Sequence, residues 1–396
     1  MNPNLSKLQP YPFEKLRQLF AQVTPAELTP IALSVGEPKH ASPIFVQDAL
    51  QSHWQSIEQY SATKGIPELR ETIAQWLQNR FQLQQVDADS QVLPVNGTRE
   101  ALFAIVQAVF DAGNHQKPYV LSPNPFYQIY EGAAILAGAE PVFLPCTAEH
   151  NFSPDFDSVT DETWQKTQIL FICSPGNPSG AVLSSAQLQS LIKLADEHDF
   201  VIASDECYSE IYGDQPPPGL LQACAEMGRH DFHRCLVFHS LSKRSNLPGL
   251  RSGFVAGDAG LMEQFLLYRT YHGCAMPYHH QHASIAAWQD ESHVQFNRDL
   301  YQAKFDKALS QLTGPLEIYR PDAGFYLWAK TPEADADFAR KLFEQQHIKV
   351  LPGSFLSREV DGQNPGAGYV RMALVAAMAE WEDAIDRINE FLRSNY

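Results

Sequence analysis

The chain has 396 residues, 44% of them hydrophobic, which is enough to build one large body and a smaller one around apolar cores. Its 46 acidic residues outweigh 29 basic ones, and the resulting formal charge of −17 disfavours nucleic acid and anionic membranes and directs attention to small molecules. No stretch reaches the ~18 consecutive apolar residues of a membrane span and residues 1–15 lack a signal-peptide core, so cytoplasm is the expected compartment.

In chain order, residues 12–20 carry a helical pattern ahead of any sheet. They are expected to join a small domain composed of residues 1–45 and 281–396, with a large domain at 46–280. From about residue 90 to 257, seven β-rich runs at 91–95, 118–122, 141–144, 168–173, 201–205, 235–239 and 252–256 alternate with helical patterns. Residues 100–110 and 185–198 are two such helices, the second with Leu188, Leu191, Ile192 and Ala195 at helical spacing. The alternation predicts an α/β fold with a mostly parallel seven-stranded sheet. After residue 280 come a long helical stretch to about 312, strand-like runs at Ile318 and 325–328, and helices near 334–346 and 378–393, read as a smaller α+β domain. There is no repeat or low-complexity tether, which makes the junction near 280 a packed hinge.

The six cysteines (Cys146, Cys173, Cys207, Cys224, Cys235 and Cys274) contain no CxxC pair, so zinc and disulfide frameworks lack their spacing, and most are expected to be buried thiols. His279, His280 and His282 form the one sequence-local cluster of metal-ligand type. No carboxylate or cysteine completes a set, and no metal is expected.

In an open α/β sheet, ligands sit beyond the carboxyl ends of the strands. The loops there are rich in polar groups: Asn96-Gly97-Thr98-Arg99, Ser174-Pro-Gly-Asn177-Pro, Asp205-Glu-Cys-Tyr208 and Ser240-Leu-Ser242-Lys243. The segment Gly97–Arg99 opens a helix, where backbone N–H groups and the dipole suit a phosphate, although an Asn-Gly pair is more often simply a turn. Neither GxGxxG nor GxxxxGK[ST] occurs, which removes the usual dinucleotide and P-loop readings. A lone lysine is usually a solvated charge. Lys243, however, stands among Ser240, Ser242 and Arg251, where adjacent cations lower an amine pKa and hydroxyls and guanidinium can grip an anion. Asp205 ends an apolar strand. As a loop carboxylate it would cap the next helix, whereas in a dry site it needs a cationic partner such as a pyridinium nitrogen.

Three strings together are specific: Ser174-Pro-Gly-Asn-Pro-Ser-Gly180, Ala203-Ser-Asp-Glu-Cys-Tyr208, and the run from Ser240 through Lys243 and Arg251 to Gly253. They resemble the signature of class I/II aminotransferases, the fold-type I enzymes dependent on pyridoxal 5′-phosphate, with order and spacing agreeing from Gly36 to Arg371. The resemblance implies that Lys243 holds the cofactor as a Schiff base and shuttles a proton, and that Asp205 keeps the pyridine nitrogen protonated. It further implies that Asn177 and Tyr208 bond the ring oxygen, and that Tyr127 stacks on the ring, with Phe126 as the alternative. The phosphate falls to Ser240, Ser242, Arg251 and Gly97, Thr98 and Arg99. Tyr60 resembles the tyrosine donated to a neighbouring subunit, which implies a homodimer. Arg371 and Gly36 match the groups that hold the substrate α-carboxylate, a task suited to a planar guanidinium fork.

The opening 8–17 and the string Gly36-Glu-Pro-Lys-His40 look like proteobacterial N-succinyldiaminopimelate aminotransferases, enzymes of lysine biosynthesis. That likeness implies amino transfer from glutamate to N-succinyl-2-amino-6-oxopimelate. Lys39 stands where many relatives carry aspartate and is the candidate for a distal carboxylate, with Arg99 behind it; a solvated loop lysine is the equal alternative. Rival readings are an aspartate or aromatic aminotransferase, a carbon–sulfur β-lyase, and a cofactor-sensing regulator. The last normally adds a basic DNA-binding segment, for which this acidic chain has no room before Gly36.

Overall fold

The computed structural model describes residues 1–396. After a short first strand, β1 (Ile31–Ala32), each of the seven β-rich runs forms a strand. They are β2 (Val92–Val95), β3 (Tyr119–Asn124), β4 (Glu140–Pro145), β5 (Thr167–Cys173), β6 (Val201–Asp205), β7 (Cys235–Ser240) and β8 (Gly253–Gly257). All seven lie in one sheet of order β2-β8-β7-β6-β5-β3-β4. Only β8 runs antiparallel to its neighbours. The mostly parallel α/β fold expected from the alternating runs is therefore present.

Side chains alternate across a strand, and here both faces are covered. Ile169 and Phe171 of β5 enter one apolar cluster, while Leu170 and Ile172 enter another on the opposite face. Helix Ser185–His198 covers the second face with Leu188, Leu191, Ile192 and Ala195, the residues its periodicity marks. A capping box starts it: Gln187 N–H donates to Ser184 Oγ, and Ser184 N–H donates to the Gln187 side chain. Such a cap contributes about 1 kcal/mol. Helix Thr98–Val109 covers the first face with Ala101, Leu102 and Ile105.

The C-terminal region adds β9 (Tyr326–Lys330), β10 (Ile348–Lys349), β11 (Leu351–Pro352) and β12 (Tyr369–Ala373). β11, β12 and β9 form an antiparallel sheet, while β1 pairs in parallel with β10. Ile31 and Leu33 thereby share an apolar cluster with Phe325, Leu327 and Trp381, and Phe20 stacks on Phe343 at 4.2 Å. The N-terminal segment is thus packed on C-terminal elements.

Two local expectations fail. The stretch read as one helix from 281 is two, Tyr278–Gln289 and Ser292–Gln311, because Asp290 is extended and its carboxylate accepts from Ser292 Oγ and His293 N–H, restarting the helix. Ile318 lies in no strand; beside it only Glu317 makes an isolated bridge, to Lys330. Helix Tyr278–Gln289 also spans the expected boundary near 280, and its Ala283, Ala287 and Trp288 pack with Val46 and Phe254 beside the large sheet. No helix is long and apolar enough to cross a membrane.

Candidate active site

The carboxyl ends of β5, β6 and β7 deliver Cys173, Asp205 and Ser240 to one cavity of about 400 Å³. Of the residues singled out from sequence, Gly36, Thr98, Arg99, Tyr127, Asn177, Asp205, Tyr208, Ser240, Ser242, Lys243, Arg251 and Arg371 line it. Residues more than three hundred positions apart in sequence meet there because β1 and β12 bring the small sheet over the large one's edge.

Lys243 sits in a four-residue helical turn, Leu241–Arg244, started by Ser240, whose Oγ accepts from Ser242 N–H at 3.1 Å. Its Nζ donates to the Gly36 carbonyl at 2.6 Å. Burial pushes its pKa down to about 8, Arg371 and Arg251 push the same way, and Cys207 and Glu37 oppose. An amine with that affinity for protons exchanges them near neutral pH.

Asp205 is buried and receives hydrogen bonds from Tyr130 Oη at 2.7 Å and from Cys207 N–H at 3.3 Å. Burial raises its carboxyl pKa; the Cys207 and Tyr130 donors and His239 pull it back. A buried acid served by neutral donors gains from a cation at its cavity side.

At the other end, Ser240 Oγ donates to Ser242 Oγ at 2.9 Å, and Arg251 reaches in beside Thr98. Glu100 holds Arg251 with contacts of 2.8 and 3.0 Å. Gly97 precedes helix Thr98–Val109 with φ +94°, and a Cβ there would stand 2.2 Å from Arg251 Nη2, so this position admits glycine alone.

Arg371 on β12 donates to Asn177 Oδ1 at 3.0 Å and to the Ser34 carbonyl at 2.7 Å, while its buried Nε has no partner. Its guanidinium lies 4.4 Å from the centre of the Tyr326 ring. Arg99 Nη2 donates to Tyr11 Oη at 2.9 Å. Neither Arg99 nor Arg371 forms an ion pair, whereas Arg251 is bound to Glu100.

Three expectations fall outside the lining. Gly97 stands just behind it. Lys39 turns away to pair with Glu380 at 3.3 Å, because the C-terminal helix Met378–Asn395 offers a carboxylate at its first turn. Tyr60 is wholly exposed, at 103% of its reference surface. Phe126, the alternative to Tyr127, is buried in the core and stacks on Phe143 at 4.9 Å, leaving Tyr127 at the cavity. Of the six free cysteines, Cys146, Cys224 and Cys235 are buried, and Cys207 reaches the cavity, 3.1 Å from Thr98 Oγ1. His282 stacks on His53 and His279 meets Trp54 edge-on, and no three His, Cys, Asp or Glu side chains converge.

Sequence reasoning missed Tyr326, Tyr130, Glu100 and Tyr11. Tyr326 Oη lies 3.0 Å from Tyr208 Oη, and a Cβ on Gly36 would come within 2.0 Å of it. Only Glu100, adjacent to Arg99 at the start of its helix, carried a local signal.

A buried amine, a buried acid and an anion cradle around one cavity define an enzyme that handles a small charged aromatic cofactor. The chain belongs to the aminotransferases of class I and II, whose family model matches residues 29–388. Its fold is fold-type I, and the cofactor of this family is pyridoxal 5′-phosphate. The residues present fit that group: Asp205 lacks the cation a pyridinium supplies, and the Ser240, Ser242 and Arg251 cradle suits a phosphate. A solved aminotransferase from Neisseria meningitidis Z2491 is 49% identical and superposes with a TM-score of 0.95 over 99% of this chain and 100% of that one. The aminotransferase AspB of Helicobacter pylori 26695 is 37% identical, with a TM-score of 0.90 over 98% of this chain and 100% of its own. Among curated proteins, the LL-diaminopimelate aminotransferase of Aquifex aeolicus is 32% identical over 97% of both chains.

Proposed function

We propose that this aminotransferase moves the amino group of L-glutamate onto N-succinyl-2-amino-6-oxopimelate, forming N-succinyl-LL-2,6-diaminopimelate and 2-oxoglutarate on the route to lysine. The observation that carries this reading is the pair of guanidiniums, Arg371 and Arg99, that face one cavity without a carboxylate of their own. Glutamate and the succinylated acid each present a carboxylate next to the reacting carbon and another at a distance.

When bound, pyridoxal 5′-phosphate supplies an electron-withdrawing ring that takes up the negative charge left at Cα. Arg371, steadied by Asn177 and Ser34, holds the α-carboxylate through its two-pronged fork. Lys243 Nζ would take the proton from Cα of the donor and deliver it to C4′ of the cofactor, a task matched to an amine near 8. Asp205 would keep the ring nitrogen protonated. Tyr208 and Asn177 would serve the ring oxygen, and Tyr127 would stack on the ring. Ser240, Ser242, Thr98 and Arg251 would hold the phosphate, with Glu100 aiming Arg251. Arg99, assisted by Tyr11, receives the distal carboxylate in place of Lys39, which is committed to Glu380.

A homodimer completes the reading. Trp54, Ile57 and Tyr60 are all more than half exposed on one short segment, a cost that a second copy of the chain removes. In it Tyr60 reaches the neighbouring phosphate site.

A second reading, LL-diaminopimelate as the amino donor, is supported by the curated relatives and by Glu37, a cavity carboxylate suited to a distal ammonium. The deciding experiment offers N-succinyl-LL-diaminopimelate and LL-diaminopimelate separately, with 2-oxoglutarate as acceptor. Preference for the succinylated compound supports the first reading; turnover of the free diamine alone overturns it.

A further inference from the structure

Beneath Lys243 lies a chain of polar groups, with Lys304, Asn297 and Asn246 buried and His40 half-buried, that the reaction does not use. Lys304 is 1% exposed on helix Ser292–Gln311, and its Nζ contacts His40 Nε2 at 2.6 Å and the Leu374 carbonyl at 2.9 Å. His40 Nδ1 contacts Asn297 Oδ1 at 2.8 Å. Asn297, 2% exposed, turns its Nδ2 to the carbonyls of Lys243 at 3.2 Å and Arg244 at 3.4 Å. Asn246 Nδ2 donates to the same Asn297 Oδ1 at 3.0 Å.

Donor and acceptor chemistry gives this chain one direction. An ammonium only donates, so His40 Nε2 accepts and Nδ1 carries the hydrogen. That hydrogen goes to Asn297 Oδ1, which leaves the Asn297 amide hydrogens for the Lys243 and Arg244 carbonyls. The Lys304, His40 and Asn297 contacts are satisfied together only in this arrangement, and breaking one link leaves Lys304 or Asn297 with a buried polar group unpaired.

The segment ending in His40 also carries Ser34, whose carbonyl accepts from Arg371, and Gly36, whose carbonyl accepts from Lys243 Nζ. Its next residue back, Lys39, is tied to Glu380. Residues 34–40 thus touch the main chain of Lys243 through His40 and Asn297, its side chain through Gly36, and the carboxylate site through Ser34.

We propose that His40, with Lys304 and Asn297, is a positioning residue that locks the 34–40 segment to the backbone of Lys243, so that the wall over the substrate carboxylate and the proton-moving lysine keep one fixed spacing. The proposal rests on the reading of Lys243 as the proton-moving amine and of Gly36 as part of the carboxylate site.

The test uses the full-length protein, with and without pyridoxal 5′-phosphate. Loss of a hydrogen bond of this kind, which leaves a buried partner unpaired, corresponds to roughly a tenfold effect. His40→Phe is expected to lower kcat/KM for the amino donor by that factor, mainly through KM, with cofactor binding retained. In protein without cofactor, amide hydrogen exchange of residues 34–40 is expected to accelerate in His40→Phe and in Lys304→Met. His40→Gln, which offers one acceptor and one donor at similar spacing, restores both readouts. Exchange and KM unchanged in both disrupting variants, or no recovery in His40→Gln, overturn the proposal. Lys243→Ala separates the two layers: activity surviving in it removes the functional reading, whereas the exchange result stands on its own.

Discussion

The Tyr130 hydroxyl donates to the Asp205 carboxylate at 2.7 Å from a fully buried position, so the acid that faces the cavity is held from behind by a neutral donor. The donor favours the charged form and opposes the rise that burial imposes. Tyr130→Phe should therefore raise the Asp205 pKa further and move the acid limb of the kcat–pH profile to higher pH. Asp205→Asn, which removes the charge, should lower kcat by roughly 10²–10³, as expected for a lost preorganised electrostatic partner. An acid limb that stays in place in Tyr130→Phe counts against Asp205 as the group that must be ionised.

Lys243 titrates at about 8 because burial disfavours its charge. In protein without cofactor, its acylation by an amine-reactive reagent should rise through that pH, about two units below an ordinary lysine. Peptide mapping after timed labelling reads the rate. Lys243→Arg, which retains its proton throughout the working range, should be as inactive as Lys243→Ala.

Arg99 and Arg371 should separate by substrate. Arg371→Lys replaces a bidentate fork with a point charge and should reduce kcat/KM for every amino donor by roughly one to two powers of ten. Arg99→Gln should affect donors with a distal carboxylate and leave alanine nearly untouched. Equal losses for glutamate and alanine in Arg99→Gln would remove Arg99 from substrate recognition.

Gly36 is required by its neighbour more than by its own backbone. A Cβ there would stand 2.0 Å from Tyr326 Oη and 2.8 Å from its Cζ. Gly36→Ala should raise KM for the amino donor, and adding Tyr326→Phe should recover only part of the loss, because the ring carbon remains close. Steady-state kinetics on the single and double variants, read as a cycle, measure the coupling.

The large sheet was legible because each of its strands is a short apolar run bounded by turn chemistry, and the helices between them show their buried stripe. The site was legible where a motif is local: Ser240, Ser242 and Lys243 are neighbours in sequence and in space. Tyr326 and Tyr11 gave no such signal. Their place in the cavity depends on how β9 and the N-terminal helix dock, which is long-range packing that no local spacing records. Lys39 shows the converse case. Its charge suggested the pocket mouth, but Glu380, hundreds of residues away, offers it a nearer partner. Ile318 is apolar enough for a strand, yet the backbone around it makes only one bridge, from Glu317 to Lys330 at the last residue of β9, where the pairing ends.

The reversed strand β8 has an architectural effect. Because Ser240 pairs with Gly253 across β7 and β8, the chain leaves the sheet and returns to it at the same level. Both the Lys243 amine and the Arg251 guanidinium ride on that single excursion, so the distance between them is set by the length of one loop and not by the docking of separate pieces. Lengthening residues 244–250 by even one position should detune the two grips together, while insertions at the exposed turn 112–116, which precedes β3, should be absorbed.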